Sequence, residues 1–199
     1  MREVRGGGDN GSVAMRIVAV WMMLALASFM ATAEKAAAQK ASPEAKALVS
    51  KAHAANRAGR KDEALALFAK AIALKQFRGT DLASLHNSRA VILSELKRRP
   101  EAIKEMTLAI AAAPKQPFYY GNRARTYRAM NMPEKAAGDF TRVIELSAKP
   151  NASNYYDRCR AYAEARARKK AIADCEKALA LRPKYSRAAK LLAKLKAGS

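Results

Sequence analysis

Apolar and small residues recur along residues 45–185 at the spacing of amphipathic helices, and the whole pattern repeats about every 34 residues. The segment that begins at Ala83 matches the one that begins at Pro117 with an offset of 34 residues. The next match, between Tyr127 and Tyr162, needs an offset of 35 residues. Repeats of this length are typical of helix pairs that stack into a solenoid. The pattern therefore predicts four copies, at residues 45–82, 83–116, 117–151 and 152–185.

Helix-starting residues divide each copy into two helices. Ser42, Pro43 and Glu44 supply an N-cap, a first-turn proline and a first-turn acid for the first helix. Similar signals precede later helices at Thr80-Asp81, Arg99-Pro100-Glu101, Met132-Pro133-Glu134 and Pro150-Asn151. After residue 185, one face of a ninth helix carries Ala188, Leu191, Leu192 and Leu195. We expect residues 186–199 to form a helix and tail that cap the open end of the stack.

Small residues occupy two equivalent positions in every copy, where closely packed helices leave no room for large side chains. Position 8 of each copy is Ala52, Ala90, Ala124 or Cys159, and position 20 is Ala64, Ala102, Ala136 or Ala171. Larger residues at position 24 are Phe68, Met106 and Phe140, and closing prolines are Pro114 and Pro183. Residues 45 to about 196 resemble the tetratricopeptide repeat family, although Ala55 and Gln76 stand where its pattern has an aromatic and a proline. The resemblance implies an all-α, right-handed solenoid of four helix pairs with a C-terminal capping helix.

An uncharged apolar run precedes the repeats. Arg16 is followed by residues 17–30 without a charge, and then by Ala31-Thr32-Ala33. These features are typical of a secretory signal peptide cleaved after Ala33, with residues 34–42 as a linker and the mature chain periplasmic or secreted. The alternative is an inner-membrane anchor that holds the repeats outside the cytoplasm. A span needs about 20 apolar residues, and residues 17–33 number seventeen.

The leader and the Ala-, Arg- and Lys-rich composition together indicate an exported bacterial protein, and Met15 is an alternative start to Met1. The net charge of +21 would suggest nucleic acid in a cytoplasmic protein, but export argues against that ligand. Basic residues gather in the turns within three copies: Arg57, Arg60 and Lys61; Lys97, Arg98 and Arg99; Arg166, Arg168, Lys169 and Lys170. This basic edge suggests either a peripheral binder of anionic envelope lipid or polymer, or a charged surface that keeps a monomer soluble.

Arginine at position 7 accompanies an acid at position 23 in three copies. These residues are Arg89 and Glu105, Arg123 and Asp139, and Arg158 and Asp174. The first copy has Lys51 and Leu67 at the same positions, so the acid is present only where the arginine is. Because a half-buried arginine needs a partner, we predict three structural ion pairs rather than ligand-binding arginines.

Chemistry-bearing motifs are scarce. His53 and His86 have no metal-ligand spacing to Cys, Asp or Glu, and no nucleophile-elbow, zinc-protease, phosphate-loop or dinucleotide motif is present. We therefore predict no catalysis, metal or cofactor. Cys159 and Cys175 leave a disulfide open, with buried thiols as the default. Position 24 would lie one turn, about 5.4 Å, beyond the partner of position 8, close to the limit of about 7 Å between bridged Cα atoms.

The family resemblance implies that the first helices of the copies line a concave groove for a peptide or protein. The predicted groove residues are Val49, His53, Asn87, Val91, Phe118, Asn122, Arg125, Arg128, Tyr156 and Arg160. Exposed rings at Phe118 and Tyr156 beside arginines would suit an acidic segment or a free C-terminus. Some family members hold acidic C-terminal tails through a Lys/Asn clamp. Of the residues at the clamp positions, Val49, Ser88, Phe118 and Asn122, only Asn122 fits, so we do not expect that function.

Overall fold

Nine α-helices follow one another along residues 41–198, the part of the chain that the computed structural model describes. They are α1 (Pro43–Arg57), α2 (Lys61–Ala73), α3 (Gly79–Glu95), α4 (Arg99–Ala112), α5 (Pro117–Ala129), α6 (Pro133–Leu146), α7 (Ala152–Glu164), α8 (Arg168–Leu181) and α9 (Ser186–Ala197). No strand occurs among these residues. The predicted leader and most of the predicted linker lie outside the described residues.

Successive helices pack as hairpins, α1 on α2, α3 on α4, α5 on α6 and α7 on α8, and α9 packs on α8. Turns of three residues join the two helices of each hairpin, and such short connections make neighbouring helices antiparallel. The prediction of an all-α helical repeat with a C-terminal capping helix is confirmed. None of the described helices combines the length and the hydropathy that crossing a membrane requires.

The repeated alanines are buried between the helices of each hairpin. Ala64, Ala102, Ala136 and Ala171 at position 20 are fully buried, as are all four residues at position 8. Phe68 and Phe140 at position 24 are buried beside them. A small residue that faces a large one lets two helices approach while the ring fills the space between them. Burial of these side chains is the main favourable contribution to folding of each hairpin.

The ends of the first repeat are tied together by a residue that departs from the family pattern. Ser42 is the N-cap of α1, and its hydroxyl accepts a hydrogen bond from the Ala45 amide at 3.2 Å. The side chain of Gln76 accepts a bond from the Ser42 amide at 2.7 Å. Gln76, at the place of the expected proline, therefore links the end of this repeat to its beginning.

One helix begins a residue earlier than its sequence signal. The Thr80-Asp81 signal places the start of a helix after these residues, whereas α3 begins at Gly79 and its N-cap is Arg78. Gly79 has a φ of 51°, a left-handed value that glycine adopts without a steric penalty. The helix α7 begins directly after its predicted signal, Pro150-Asn151. Asn151 is the N-cap: its side chain accepts bonds from the Ser153 and Asn154 amides, and it forms a capping box with Asn154.

A second correction concerns the cysteines. Cys159 and Cys175 form a disulfide between α7 and α8, and their Cα atoms are 5.5 Å apart. The default expectation of buried thiols is therefore wrong. Positions 8 and 24 approach each other more closely across the hairpin than the assumed one-turn offset allows, so the separation stays within bridging distance. Both cysteines are fully buried in a cluster that also contains Ala188 of α9.

Candidate functional site

Two apolar side chains are exposed on the first helices of the middle repeats. Val91 on α3 is 39% exposed and Phe118 at the start of α5 is 59% exposed. Both were predicted as groove residues from the sequence. Large apolar side chains with this exposure often mark recognition surfaces. The sequence places Val91 one turn after Asn87, and Phe118 one turn before Asn122.

A cleft of about 330 Å³ lies between α3 and α5. It is lined by Val91, Ser94, Glu95, Met106, Asn122, Arg125 and Thr126. Met106 and Thr126 are buried, and the Thr126 hydroxyl lies 3.7 Å from the Met106 sulfur. The remaining lining residues are half-buried or exposed. The cleft therefore combines a packed inner wall with a polar rim, as a site for part of a peptide requires.

Amide side chains connect α3 and α5 at this cleft. The Asn122 side chain donates a hydrogen bond to the Asn87 side-chain oxygen at 2.9 Å. The Asn122 oxygen in turn accepts from the Arg125 guanidinium at 3.3 Å. This chain of bonds links the two first helices at the cleft, and each amide keeps further donor and acceptor capacity.

Arg125 is the exposed cation of the cleft. Its side chain is 59% exposed, and its contact with Asp157 of α7 is long, at 3.4 Å. An ion pair of this exposure and length stabilises the fold little, because water screens it. The guanidinium is therefore available for a ligand carboxylate, which it can bind through two parallel N–H groups.

The exposed ring of Phe118 packs against the buried residue Tyr119. Its ring contacts the ring of Tyr119 edge to face, with 5.6 Å between centroids. Tyr119 is buried, and this burial, followed by the negative charge of Asp81, raises the pKa of its hydroxyl. The neutral, packed Tyr119 fixes the beginning of α5 and so the direction in which Phe118 extends.

Tyr156 does not belong to the exposed groove, so that prediction is wrong. Its side chain is only 9% exposed, and its ring lies 5.0 Å from the ring of Tyr185. Arg160 covers another side, with its guanidinium carbon 5.7 Å from the ring centroid. The residue packs inward because the segment that leads into α9 brings Tyr185 against α7. Repeat alignment alone could not show this, since the cap follows only the last copy.

Arg128 is also unavailable as a free cation. It makes two side-chain bonds to Glu164 of α7, one of them 2.7 Å from Nε to Oε2, and its side chain is 13% exposed. The hydrogen bonds that Arg128 donates to the Glu164 carboxylate raise the pKa of Arg128. Glu164 follows Arg128 by 36 residues, close to one repeat, and this spacing was the sequence signal for the pair.

The groove residues predicted on α1 lie apart from the central cleft. Val49 is half-buried, and His53 is exposed with its ring 5.0 Å from that of Phe68, edge to face. Neither residue lines the cleft between α3 and α5. The structure therefore groups Val91, Asn122 and Arg125 around one cleft and leaves the α1 residues outside it.

Comparison with known proteins agrees with this architecture. The profile of the family described as "Tetratricopeptide repeat" matches residues 45–77. Tetratricopeptide repeat protein 36 of Caenorhabditis elegans is 39% identical over 69 residues, which are 35% of this chain and 38% of that protein. The chain thus spans well under half of the curated relatives that it matches.

Two solved structures have the same fold. MamA from Desulfovibrio magneticus RS-1 superposes with a TM-score of 0.68 at 17% identity, over 78% of this chain and 85% of MamA. The first TPR domain of Spaghetti (RPAP3), bound to the HSP90 peptide SRMEEVD, superposes with a TM-score of 0.56 at 22% identity, over 61% and 95% of the two chains. Residues 45–77 thus match a tetratricopeptide repeat, and the described chain has the fold of tetratricopeptide repeat proteins.

Three ion pairs brace the tetratricopeptide repeats, as predicted. Arg89 lies 2.7 Å from Glu105, Arg123 lies 2.8 Å from Asp139, and Arg158 lies 2.6 Å from Asp174. The last two pairs are bidentate, and their hydrogen bonds raise the pKa of Arg123 and of Arg158. These arginines are held by the fold, so they are not groove ligands.

The same arginines also join neighbouring tetratricopeptide repeats. Arg123 donates to the hydroxyl of Thr107 at 3.0 Å, and Arg158 donates to that of Thr141 at 3.2 Å. Each threonine belongs to the second helix of the preceding hairpin. Both threonines stand at position 25 of their copies, so the sequence could have predicted these contacts between repeats. Our prediction considered only the acid.

In the second tetratricopeptide repeat, this arrangement of arginine, acid and threonine is incomplete. Glu105 is shared, with one oxygen 2.7 Å from Arg89 and the other 2.8 Å from His86 Nδ1. The Arg89 Nε is buried and has no hydrogen-bond partner among the described residues. Position 25 of the preceding copy is Ala69, which has no hydroxyl. A cleft of about 400 Å³ opens between α2 and α4 at this point.

The basic edge of the tetratricopeptide repeats is partly neutralised. Lys61 lies 2.9 Å from Glu95, Arg60 lies 2.6 Å from Glu63, and Arg98 lies 2.7 Å from Glu101. The hydrogen bond to Arg98 holds the pKa of Glu101 below its usual range. The basic edge that the sequence predicted in three copies therefore carries less unpaired charge in the first two repeats than a residue count implies.

Proposed function

We propose that this protein is a non-enzymatic scaffold whose concave groove binds an extended segment of a protein partner. The observation that carries the proposal is the cleft between α3 and α5, where exposed Val91 and half-buried Asn122 lie beside the exposed cation Arg125. Such a site offers contacts for an apolar side chain, a peptide amide and a carboxylate within one short stretch of ligand.

The ligand chemistry follows from these three groups. Arg125 suits a carboxylate, either an acidic side chain or a free C-terminus, because its guanidinium can form two parallel bonds to it. Val91 suits an apolar side chain of the ligand next to that carboxylate, and the exposed ring of Phe118, one turn before Asn122 on α5, offers a second apolar contact. Arg128 and Tyr156 take no part, since one is paired with Glu164 and the other is buried. The proposed ligand is therefore a short acidic and apolar segment.

The structural relatives support a peptide ligand without identifying it. The Spaghetti (RPAP3) domain was solved with the HSP90 peptide SRMEEVD, in which two glutamates and a valine precede the terminal aspartate. In this chain Val49, Ser88 and Phe118 replace clamp residues that hold such tails, so we propose a different acidic sequence as the ligand. The proposed peptide still presents its carboxylate to a cation of the groove, here Arg125.

We also propose that the protein acts outside the cytoplasm, in the periplasm or after secretion. The apolar leader at residues 17–33 supports this location, and so does the disulfide between Cys159 and Cys175, because oxidising compartments preserve such bonds. N-terminal sequencing of protein purified from its own cells tests the location. A mature chain that begins at Glu34 supports a cleaved signal, whereas an intact leader in the membrane fraction would indicate the anchor.

A C-terminal peptide library tests the groove. The full chain, with a photo-crosslinking amino acid at position 118, is screened against peptides with free or amidated C-termini. We expect captured peptides to share a carboxylate next to an apolar residue. Binding of the best peptide, measured by fluorescence anisotropy, should fall at least tenfold in Arg125→Glu, because an attractive contact becomes a repulsive one.

Leu108→Ser is the matched control for Val91→Ser. Leu108 is 48% exposed on α4 and does not line the groove cleft, and Val91 is 39% exposed. Val91→Ser should weaken the peptide several-fold, and Leu108→Ser should not change its affinity. Equal effects of the two changes, or full affinity in Arg125→Glu, would show that the ligand binds elsewhere.

A further inference from the structure

The capping helix α9 occupies the place of a first helix in the register of the repeats. Four residues join α4 to α5, and four residues join α8 to α9. These connections begin with Ala113 and Arg182, whose φ and ψ angles are −142° and 72°, and −145° and 90°. In both connections the amide of the fourth residue donates to the carbonyl of the first, at 3.2 Å and 3.0 Å. The chain therefore enters α9 as it enters α5.

Position 9 of the repeats continues onto this helix. The residues at position 9 of the second, third and fourth copies are Val91, Arg125 and Arg160, and an offset of 34 residues from Arg160 gives Lys194 on α9. Val91 and Arg125 line the central cleft. Since α9 repeats the register of a first helix, Lys194 lies on the groove side, one helix beyond Arg160.

Two more cations of α9 lie on the same side as Lys194. Arg187 and Lys190 precede it by seven and four residues. Because a helix turns about 100° per residue, the three side chains start within about 60° of one another. All three are exposed. Lys196 starts on the opposite side, where its amine lies 2.7 Å from a carboxylate of α8. The helix thus presents one side to α8 and three cations to the groove.

Contacts between neighbouring first helices make the groove continuous. Side-chain hydrogen bonds of Asn122 and Arg125 join α5 to α3 and to α7. The helices α7 and α9 contact each other, and Tyr156 of α7 shares an apolar cluster with Leu191 of α9. The first helices α3, α5 and α7 and the helix α9 therefore lie side by side. A ligand in the central cleft can continue along them to α9.

The groove becomes more basic toward α9. The helices α5, α7 and α9 contain two acids, Asp157 and Glu164, and each already contacts an arginine of α5. By contrast, Arg160 and the three cations of α9 form no ion pair among the described residues. An external anion therefore reaches these cations without displacing an acid of the protein. This part of the groove is complementary to a tract of negative charge.

We propose that the groove extends onto α9 and holds an acidic tract of the protein partner. This inference rests on the proposed peptide site, which places one end of the tract at Arg125. Adjacent first helices are about 10 Å apart, and an extended peptide advances about 3.3 Å per residue. Acids about three and about six residues from the one at Arg125 therefore reach Arg160 and α9. The partner segment carries acidic residues over about seven positions beside its apolar residue.

The central cleft favours a protein segment over a soluble polyanion. Val91 offers a contact for an apolar side chain, and the Asn122 amide offers one for a peptide group. A phosphate polymer carries neither group, so only its charge would contribute to binding. Binding that depends on both the cleft and α9 therefore identifies a peptide, whereas dependence on α9 alone identifies a general polyanion surface.

Matched synthetic peptides test the proposal by fluorescence anisotropy with the full chain. Each labelled peptide has a Leu-Glu pair, followed or preceded by a tract of about six residues that are all Glu or all Gln. The ionic strength is about 0.15 M, at which exposed charges more than about 8 Å apart are largely screened. We expect the Glu peptides to bind at least tenfold more tightly than the Gln peptides. The absence of a preference for the Glu peptides would overturn the proposal.

Two charge-reversal variants at the same end of the chain locate the tract. Lys190→Glu/Lys194→Glu changes exposed lysines of α9, and Lys169→Glu/Lys177→Glu changes exposed lysines of α8 by the same charge. We expect the α9 variant to weaken the Glu peptides about tenfold and to leave the Gln peptides unchanged. The α8 variant should change neither affinity by more than about twofold, and circular dichroism melts should show both variants folded. Equal losses in the two variants would mean that only net charge matters, and the extension to α9 would be wrong.

A cleft variant separates a failure of this inference from a failure of the proposed function. Val91→Ser should weaken both sets of peptides several-fold and leave the binding of inorganic polyphosphate unchanged. If Val91→Ser weakens both sets but Lys190→Glu/Lys194→Glu weakens neither, the cleft binds a peptide and the groove does not extend onto α9. If the α9 variant weakens the Glu peptides and polyphosphate alike, while Val91→Ser affects neither, the proposed peptide site itself fails and α9 belongs to a general polyanion surface.

Discussion

Arg123 and Asp139 are joined by two parallel hydrogen bonds, from Nε to Oδ2 at 2.8 Å and from Nη2 to Oδ1 at 2.9 Å. The third guanidinium nitrogen donates to Thr107 of the preceding repeat at 3.0 Å. One arginine therefore closes its own hairpin and joins it to the next one. The pair is well shielded, with 17% of the Arg123 side chain and 8% of the Asp139 side chain exposed.

Asp139→Ala should destabilise the fold by about 3 kcal/mol, because it leaves the shielded Arg123 charge without its partner. Urea denaturation followed by circular dichroism measures the loss. The control is Glu145→Ala, which removes the partner of Arg142 from a pair whose side chains are about half exposed, and no measurable change is expected there. A replacement of both members, Arg123→Met/Asp139→Leu, should lose less than Asp139→Ala. Similar stabilities of Asp139→Ala and Glu145→Ala would contradict this account.

The disulfide provides a second prediction. Cys159 and Cys175 close a loop with a sequence separation of 16 residues, and such a cross-link stabilises a protein by about 3 kcal/mol, chiefly by restricting the unfolded chain. The variant Cys159→Ala/Cys175→Met copies the pairing of Ala90 and Met106 in the second repeat. We expect it to unfold at lower urea concentration than the oxidised protein, by an amount equal to this loss.

A reductant is the control for the disulfide prediction. It should lower the stability of the wild-type protein and leave that of Cys159→Ala/Cys175→Met unchanged. Thiol labelling of denatured, unreduced monomer should find no free thiol. Detection of two free thiols in protein from an oxidising compartment would instead support the thiol state that the sequence suggested.

The repeat architecture was predictable because it depends on short-range spacing. Alanines at positions 8 and 20 and large residues at position 24 recur at fixed intervals, and helix contact alone explains them. The three arginine and acid pairs were predictable for a similar reason, since Arg123 and Asp139 stand in the same relation as Arg158 and Asp174. The copies within this one chain therefore serve as an alignment, from which pairs of residues that occur together can be recognised.

The groove was only partly predictable, because its membership depends on contacts between repeats. Tyr156 is at a first-helix position, yet the cap brings Tyr185 against it and buries it. Arg128 is neutralised by Glu164 of the following repeat. Neither contact follows from the periodicity within one copy. The disulfide was misjudged because an estimate from ideal helix geometry could not resolve a difference of one or two ångströms.

Backbone strain at Lys97 gives a third prediction. Lys97 follows α3 with a φ of 64°, while the equivalent residue of the first repeat is Gly59 with a φ of 78°. A left-handed conformation costs a residue with a side chain about 1 kcal/mol relative to glycine. Lys97→Gly should therefore raise the free energy of unfolding by about 1 kcal/mol.

Gly59→Lys is the reciprocal control for Lys97→Gly. A Cβ built at Gly59 meets no atom within 4 Å, so the backbone conformation is the only expected penalty. The change should lower the stability by about the amount that Lys97→Gly adds. If both variants unfold like the wild type, the left-handed turns do not limit the stability of this protein.

The last prediction concerns Ala69, which stands where two later copies have Thr107 and Thr141. Those hydroxyls accept hydrogen bonds from Arg123 and Arg158 and donate to the carbonyl four residues earlier in their own helix. Arg89 lacks such an acceptor, and its buried Nε has no partner among the described residues. Ala69→Thr would place a hydroxyl in the open space between α2 and α4. It should thereby offer the Arg89 guanidinium a hydroxyl acceptor like the one that Thr107 and Thr141 offer to Nη1 of the later arginines.

The expected gain can be estimated from two opposing contributions. A hydrogen bond to a charged group stabilises by about 1.5–3 kcal/mol, and threonine in a helix costs about 0.5 kcal/mol relative to alanine. Ala69→Thr should therefore raise the free energy of unfolding by about 1 kcal/mol or more. Ala66 lines the same cleft, but the equivalent positions of the other copies have no threonine. Ala66→Thr should therefore only lower the free energy of unfolding, by the helix-propensity difference between alanine and threonine. The gain should also vanish when Arg89 is replaced by methionine. Equal stabilities of Ala69→Thr and Ala66→Thr in the wild-type background would mean that Arg89 does not need this acceptor.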